Sequence, residues 1–347
     1  MEDNNNKRTD VNELGEFGLI EHLTANFKLR NESSILGVGD DAAIIDNGKF
    51  QTVVSTDLLI EGIHFDLIYT PLKHLGYKSV IVNLSDLYAM NAIPKQITVS
   101  LGLSNRFSVE ALEELYHGIQ RACDVYGVDL VGGDTTSSNK GLIISITAIG
   151  QGETDKLVKR SGAKEGDVIC VTGELGGSYI GLQLMEREKQ LFLSKKDKHF
   201  KVDFEDQKYV VGKHLLPEAR KDIIEFFRKE NIVPSSMMDI SDGLASELFH
   251  ICKNSNVGAY IEEGQVPINI ETQQMAIKFN MDPISAALSG GEDYELLFTI
   301  KREDIDKIRF QPEIAIIGDV VEKKDGIKLH TTGGNIHDIK AQGWKHF

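Results

Sequence analysis

The sequence predicts an α+β protein of two domains, and three observations predict it. At 347 residues the chain is long for a single hydrophobic core. Strand-like apolar runs and helical periodicities alternate along it, and the strand-like runs repeatedly end in aspartate. A change of composition near Gly152-Glu153 marks a boundary. The expected organisation is a flexible tail over residues 1–12, an N-terminal domain over 13–152 and a C-terminal domain over 153–347.

In chain order, the Asn-rich opening MEDNNNKRTDVN lacks the apolar residues a packed segment needs. Phe17, Ile20, Leu23 and Phe27 recur at helical spacing, which predicts a helix from Glu16 to Phe27. Two apolar runs then end in oxygen-rich clusters, Gly37-Val38-Gly39-Asp40-Asp41 and Val53-Val54-Ser55-Thr56-Asp57. Leu72 to Ala92 and Val109 to Tyr126 read as helices, the second clearly amphipathic. Gln96 to Leu103, a short run to Gly132 and Leu142 to Gly150 read as strands. In the second half, Val168 to Thr172 is a strand, Gly177 opens a helix through Met185, and residues 186–208 read as a charged, solvated excursion. Helices are expected over Pro217 to Lys229 and Leu244 to Asn254, and strands over Gly258 to Ile261 and Ile314 to Val320. The glycines at 173 to 177 are read as close packing at a strand–helix turn.

Aspartates at the ends of apolar runs recur in Val82-Asn83-Leu84-Ser85-Asp86, Gly132-Gly133-Asp134-Thr135-Thr136 and Met238-Asp239-Ile240-Ser241-Asp242-Gly243. One reading of Ser85-Asp86 and Ser241-Asp242 is helix N-capping. Capping does not account for Asp41, Asp57, Asp134 and Asp239 as well. Carboxylates gathered in one cleft would raise each other's pKa and destabilise the fold unless cations neutralised them. Mg²⁺ divides its coordination between carboxylates, water and substrate phosphates, so a metal–nucleotide site is the chemistry this pattern suits. The pairs Gly132-Gly133 and Gly290-Gly291 either admit a phosphate to the backbone or simply form turns. His64 either contacts a phosphate or fills a polar position, Arg160 is either a solvated linker residue or a cation against the nucleotide, and Trp344 either anchors packing or offers a stacking surface.

Composition excludes other classes. The net charge of −15 gives no basic face for nucleic acid or an anionic membrane. Cys123, Cys170 and Cys252 form no CxxC pair, so neither a disulfide framework nor a zinc site is expected. With no secretion signal and no long apolar run, a cytoplasmic protein is expected. No GxxxxGK[ST] loop occurs, and the GxGxxA match at Gly37 places two aspartates where a pyrophosphate would sit.

The blocks Gly-Glu-Phe-Gly-Leu-Ile at 15–20, Val-Gly-Asp-Asp-Ala-Ala at 38–43, Ser-Thr-Asp at 55–57, Gly-Ile-His-Phe at 62–65, Val-Asn-Leu-Ser-Asp-Leu at 82–87, Gly-Gly-Asp-Thr-Thr at 132–136, Arg-Ser-Gly-Ala at 160–163, Asp-Ile-Ser-Asp-Gly-Leu at 239–244 and Leu-Ser-Gly-Gly-Glu-Asp-Tyr-Glu-Leu at 288–296 resemble, in order, the thiamine-monophosphate kinase family. That family belongs to the aminoimidazole ribonucleotide synthetase-like superfamily. The resemblance implies an N-terminal sheet domain that dimerises, a C-terminal α/β-sandwich domain covering nucleotide and substrate, and a homodimer. It implies transfer of the ATP γ-phosphoryl group to thiamine monophosphate with several Mg²⁺ ions. By resemblance, Asp41, Ser55, Thr56, Asp57, Asp86, Asp134, Asp239 and Asp242 hold metal, and Tyr116, Gly133, Asp134, Arg160 and Ser241 serve ATP. His64, Glu292 and Trp344 face the thiamine substrate, and Asp57, Asp86, Asp134, Arg160 and Asp242 carry the catalysis. The rival readings are a sibling ATP-dependent synthetase and a catalytically silent metal or nucleotide binder.

Overall fold

The computed structural model describes residues 18, 32–194, 204 and 207–339. The expected helix at Glu16 to Phe27 (apart from residue 18, which is helical), most of the 195–206 segment and Trp344 lie outside the described residues. Two mixed sheets organise the chain. The first holds β1 (Ser34–Leu36), β2 (Ala43–Asp46), β3 (Phe50–Ile60), β4 (Ile93–Leu103), β5 (Asp129–Ser137) and β6 (Ile143–Glu153), in the order β1-β2-β3-β6-β4-β5. Its one parallel pair is β4 with β5.

One face of this sheet is covered by α1 (Leu72–Ala89) and α2 (Val109–Tyr126). Alternation along β3 and β6 turns Val53, Ile144, Ile146 and Ala148 into the core, while Val54, Leu58, Ile143 and Ile149 remain partly exposed on the opposite face. Helix α2 starts at Ser108, whose hydroxyl accepts from the Ala111 N–H at 3.3 Å, and stops at the left-handed Gly127. The two helices cross at glycine. A Cβ at Gly118 would lie 1.9 Å from the Lys73 carbonyl oxygen, and one at Gly76 would lie 2.0 Å from that of Leu115.

The second sheet contains β7 (Val168–Thr172), β8 (Ser236–Asp239), β9 (Val257–Glu262), β10 (Leu296–Ile300), β11 (Ile314–Glu322), β12 (Ile327–His330) and β13 (Ile336–Asp338), ordered β13-β12-β9-β11-β7-β10-β8. Every residue of β7, β8 and β10 is buried, as continuous apolar strands covered on both faces should be. Around this sheet lie α3 (Gly177–Ser194), α4 (Lys208–Leu215), α5 (Lys221–Lys229), α6 (Leu244–Ser255), α7 (Ile270–Lys278) and α8 (Pro283–Ser289).

The halves meet along α1, which packs on β3 and β6 and also on β8 and α4. Covered on several sides, it is buried around most of its circumference, polar Lys78, Ser79, Asn83 and Ser85 included. One continuous core joins Leu84 and Leu87 of α1 to Met237, Phe227 and Phe298 of the C-terminal half.

The alternative reading by capping does not hold, and one expectation needs correction. Ser85 and Asp86 do not cap a helix, because they lie in the closing turns of α1. Nor do Ser241 and Asp242 cap α6, whose N-cap residue is Gly243 with no side-chain cap bond. The helix opened by Gly177 continues nine residues beyond Met185 to Ser194. Its charged end is ordered because Lys189 bonds Asp66 at 2.8 Å and Glu186 accepts from the Tyr69 hydroxyl at 2.8 Å.

Candidate active site at the domain interface

Loops and strand ends from both halves surround a cleft of about 750 Å³. Asp41 comes from the loop after β1, Ser55 and Asp57 from β3, Asp86 from α1, Asp239 from the end of β8, and Ser241 and Asp242 from the turn before α6. Oxygen atoms of Asp41, Asp86 and Asp239 all lie within 4.8 Å of one another. Ser55 and Asp57 share a face of β3 because they are two residues apart. The Ser55 hydroxyl donates to Asp86, and the Asp57 N–H donates to Asn83 Oδ1 at 3.0 Å. Ser85 donates to Asp239 Oδ2 at 2.6 Å.

This cluster has little positive charge from the protein. Arg160 grips Asp41 with both arms of its guanidinium, at 2.8 and 3.1 Å, and its backbone N–H points at the Asp40 carboxylate at 3.3 Å. Burial by itself would lower the guanidinium pKa, but Asp41 and Asp40 hold it above its ordinary value. Arg160 is therefore an engaged clamp between the halves, not a solvated linker residue. Asp86 and Asp239 have no such partner among the described ion pairs. Burial, then the neighbouring charges of Asp57, Asp239 and Asp41, push the Asp86 carboxyl well above the usual range. Asp239 is pushed up to about 7 by burial and by Asp41, and Asp40 to about 6 by burial and by Asp41. Three converging carboxylate oxygens, two of them from carboxyls that resist ionisation, suit a hard divalent cation, whose charge would relieve them.

The Gly290–Glu295 stretch runs beside the Asp239–Asp242 segment, and its Gly291, Glu292 and Tyr294 line the cleft. Glu292 and Tyr294 both adopt left-handed backbone, at φ +64° and +52°, strain of a kind that concentrates at functional sites. Gly291 is required for close packing: a Cβ there would stand 2.2 Å from the Ser241 carbonyl oxygen. The three acids of the stretch then diverge. Glu292 meets Lys78 at 3.1 Å. Asp293 accepts from the N–H groups of Gly176 and Ser178 at the start of α3, at 2.7 and 3.3 Å. Glu295 meets Arg220 at 2.7 Å and Lys213 at 2.9 Å, and accepts from the Thr172 hydroxyl at 2.7 Å. Close packing accounts for Gly173 as expected, since a Cβ there would strike the Glu295 carboxylate at 2.2 Å.

Of the residues singled out from sequence, Asp41, Ser55, Thr56, Asp57, His64, Asp86, Arg160, Asp239, Ser241, Asp242 and Glu292 line this one cleft. The Thr56 hydroxyl is turned to the Ile146 carbonyl, to which it donates at 3.1 Å. His64 Nδ1 accepts from the Ile60 N–H at 3.0 Å, which orients the ring at the cleft wall. Gly133 and Asp134 do not join them. They lie on the exposed edge strand β5, where Asp134 pairs with Ser100, which pairs with Ser145 and so with Leu58. Three strand spacings, ~14 Å, thus separate Asp134 from the β3 residues. Gly133 is demanded by its neighbour on β4, as a Cβ would sit 1.8 Å from the Val99 carbonyl oxygen. Tyr116 is exposed on α2, outside the cleft. Sequence reasoning missed Lys78 and His214. A lysine within an apolar helix was the available signal for the first.

Residues 39–151 match the AIR synthase related protein, N-terminal domain, and residues 164–329 match the corresponding C-terminal domain. Thiamine-monophosphate kinase of Aquifex aeolicus (strain VF5) is 35% identical over 339 residues, spanning 97% of this chain and 99% of its own length. The chain belongs to the thiamine-monophosphate kinase family. The relative from Bacillus subtilis (strain 168) is 32% identical over 343 residues, 96% of this chain and 100% of its own. The structure of AaThiL complexed with AMPPCP and TMP superposes with a TM-score of 0.82 at 33% identity, covering 98% of this chain and 100% of that one. Hydrogenase maturation protein HypE in complex with ATP, at 21% identity and a TM-score of 0.67 over 93% of this chain and 94% of that one, shares the fold. The expected α+β, two-domain synthetase-like architecture is thus the one observed.

Proposed function

We propose that this chain transfers the γ-phosphoryl group of ATP to the phosphate of thiamine monophosphate, giving thiamine diphosphate and ADP. The carrying observation is the interfacial cluster of Asp41, Asp86 and Asp239, in a chain whose relatives are named for this reaction. The acceptor is already an anionic phosphate, so the reaction needs no strong general base. It needs two anions held in line and their repulsion neutralised. Asp41, Asp86 and Asp239, with Asp57 and Asp242 beside them in the cleft, fit several Mg²⁺ ions. When bound, Mg²⁺ supplies positive charge to the reacting phosphates.

The chain's own residues do the positioning. Arg160 ties the linker to Asp41, so the acids of the two halves keep their separation. His64 and Glu292 line the part of the cleft left for the acceptor's rings, and Ser241 stands with the nucleotide phosphates. In this reading Gly133 and Asp134 serve the nucleotide from β5, and Trp344 faces the thiamine rings. Residues 13–152 and 153–347 are its two units, in the cytoplasm. The partly exposed apolar residues on the outer face of the first sheet, Val54, Leu58, Ile143 and Ile149, favour a homodimer.

The test is chromatography of products after incubation with ATP, Mg²⁺ and thiamine monophosphate, with thiamine and metal-free controls. Equal thiamine diphosphate and ADP, formed only with metal and the monophosphate, are expected. ADP without thiamine diphosphate would point instead to a sibling synthetase.

A further inference from the structure

Lys78 is charged, 4% exposed and set in the middle of the most enclosed helix of the N-terminal half. Burying a lysine is costly unless a specific partner compensates it. Its ammonium donates to the His214 carbonyl at 3.0 Å and to Glu292 Oε2 at 3.1 Å. Both acceptors belong to the other half of the chain, so the contact crosses the domain interface at the cleft wall. His214 Nδ1 stands 3.3 Å from the same Oε2 and 3.2 Å from the Ser178 hydroxyl. Both contacts of Glu292 fall on Oε2, while the side chain keeps 30% exposure toward the cleft. Among the described residues Oε1 has no hydrogen bond or ion pair, so it is the oxygen open to a ligand.

We propose that Lys78 is a positioning residue that holds Glu292 as an anion, with one oxygen aimed into the cleft at the cationic ring of the acceptor. The inference rests on the proposed function, which makes the acceptor a phosphate ester carrying a thiazolium. The phosphate belongs at the aspartate cluster, and the ring cation then occupies the cleft along the Glu292 wall. A carboxylate there attracts that cation only if it stays ionised and does not turn away. The left-handed backbone at Glu292 sets the direction, and the Glu292 N–H bond to the Ser241 carbonyl at 2.7 Å locks it. Burial would raise the Glu292 carboxyl, and Lys78 foremost, with smaller contributions from His214 and from His64 in the cleft, holds it below its ordinary value. His214 itself is pushed down to about 3 by burial and by Lys78, so Lys78 carries the compensating charge of the pair.

The test compares wild type, Lys78→Met, Glu292→Gln and the double variant by steady-state kinetics and by direct binding of thiamine monophosphate. Lys78→Met should raise KM for thiamine monophosphate about tenfold, the scale of one charged hydrogen bond, with KM for ATP within twofold of wild type. The double variant should bind thiamine monophosphate no worse than Glu292→Gln alone, because Lys78 acts through Glu292. Wild type should also prefer thiamine monophosphate to a neutral-ring thiazole phosphate, and both single variants should lose that preference. Equal changes in both KM values, additive penalties or a retained preference would overturn the proposal. If Lys78→Met does not fold, Lys78→Arg keeps the charge and must retain the ring preference. Its loss there would count equally against the proposal. A wild-type enzyme that makes no thiamine diphosphate would defeat the functional reading instead, and is seen in the control lane.

Discussion

Two groups of acids lie side by side at the cleft, joined where the Glu292 and Tyr294 N–H groups bond the Ser241 and Ile240 carbonyls, and the protein treats them differently. Glu292, Asp293 and Glu295 follow one another in sequence, yet each finds its own compensation. Lys78 serves the first, two N–H groups at a helix start the second, and Arg220 with Lys213 the third. Asp41, Asp86 and Asp239 come from three distant segments and share one guanidinium, which is committed to Asp41. Charge that a fold completes internally, as at the buried Asp293 and Glu295, is structural. Charge that it gathers and leaves incomplete is an address for something from outside. Unsatisfied electrostatics, more than acidity as such, distinguishes the functional wall from the supporting one.

The sharpest way to break this contrast is Asp86→Asn. On the incomplete side, it should lower turnover by about a thousandfold or more, the scale of several kcal/mol of lost charge stabilisation, while the metal-free protein melts no lower than wild type. A clear drop in melting temperature would show Asp86 to be a structural acid.

Arg220→Met on the complete side should do the reverse. Arg220 is 7% exposed and pairs with the buried Glu295, so its loss breaks a buried ion pair and leaves Lys213 as the remaining cation, at a cost of about 3 kcal/mol. Urea unfolding would register this, whereas activity per folded molecule should stay near wild type. Loss of activity without loss of stability would merge the two walls.

The smallest effect concerns pH. The Asp239 carboxyl is raised from 3.8 to about 7 in the fold, so the native state holds a proton that the unfolded chain releases. Its contribution is therefore fully present below about 4 and is lost as pH rises through about 7. In metal-free protein, the melting temperature of wild type relative to Asp239→Asn should fall by a few degrees across that window. Mg²⁺ should restore it at pH 8 and do little at pH 5, because metal and proton compete for the same oxygens. A difference that does not vary with pH would remove Asp239 from the incomplete set.

The legible parts of the molecule were local. Helix α2 is legible with both its bounds from its amphipathic spacing, and the structure adds Ser108 and Gly127 as its caps, while β7 is legible because a short apolar run bounded by polar residues has few alternatives. Helix α3 was cut short at Met185 because the charged residues after it look solvated until their partners Asp66 and Tyr69 are known. Ser85-Asp86 looked like a cap because a cap and a buried helical end share residue types.

The sequence by itself determined the family, the α+β class and the aspartates, since each is written in short runs whose chemistry does not depend on distant residues. Tertiary structure alone decided which of those aspartates converge, that Arg160 is engaged, and that Lys78 belongs with Glu292. Compensation of charge falls off over a few ångströms in space and bears no relation to spacing along the chain, so only the fold decides which acid is matched and which is left for a ligand.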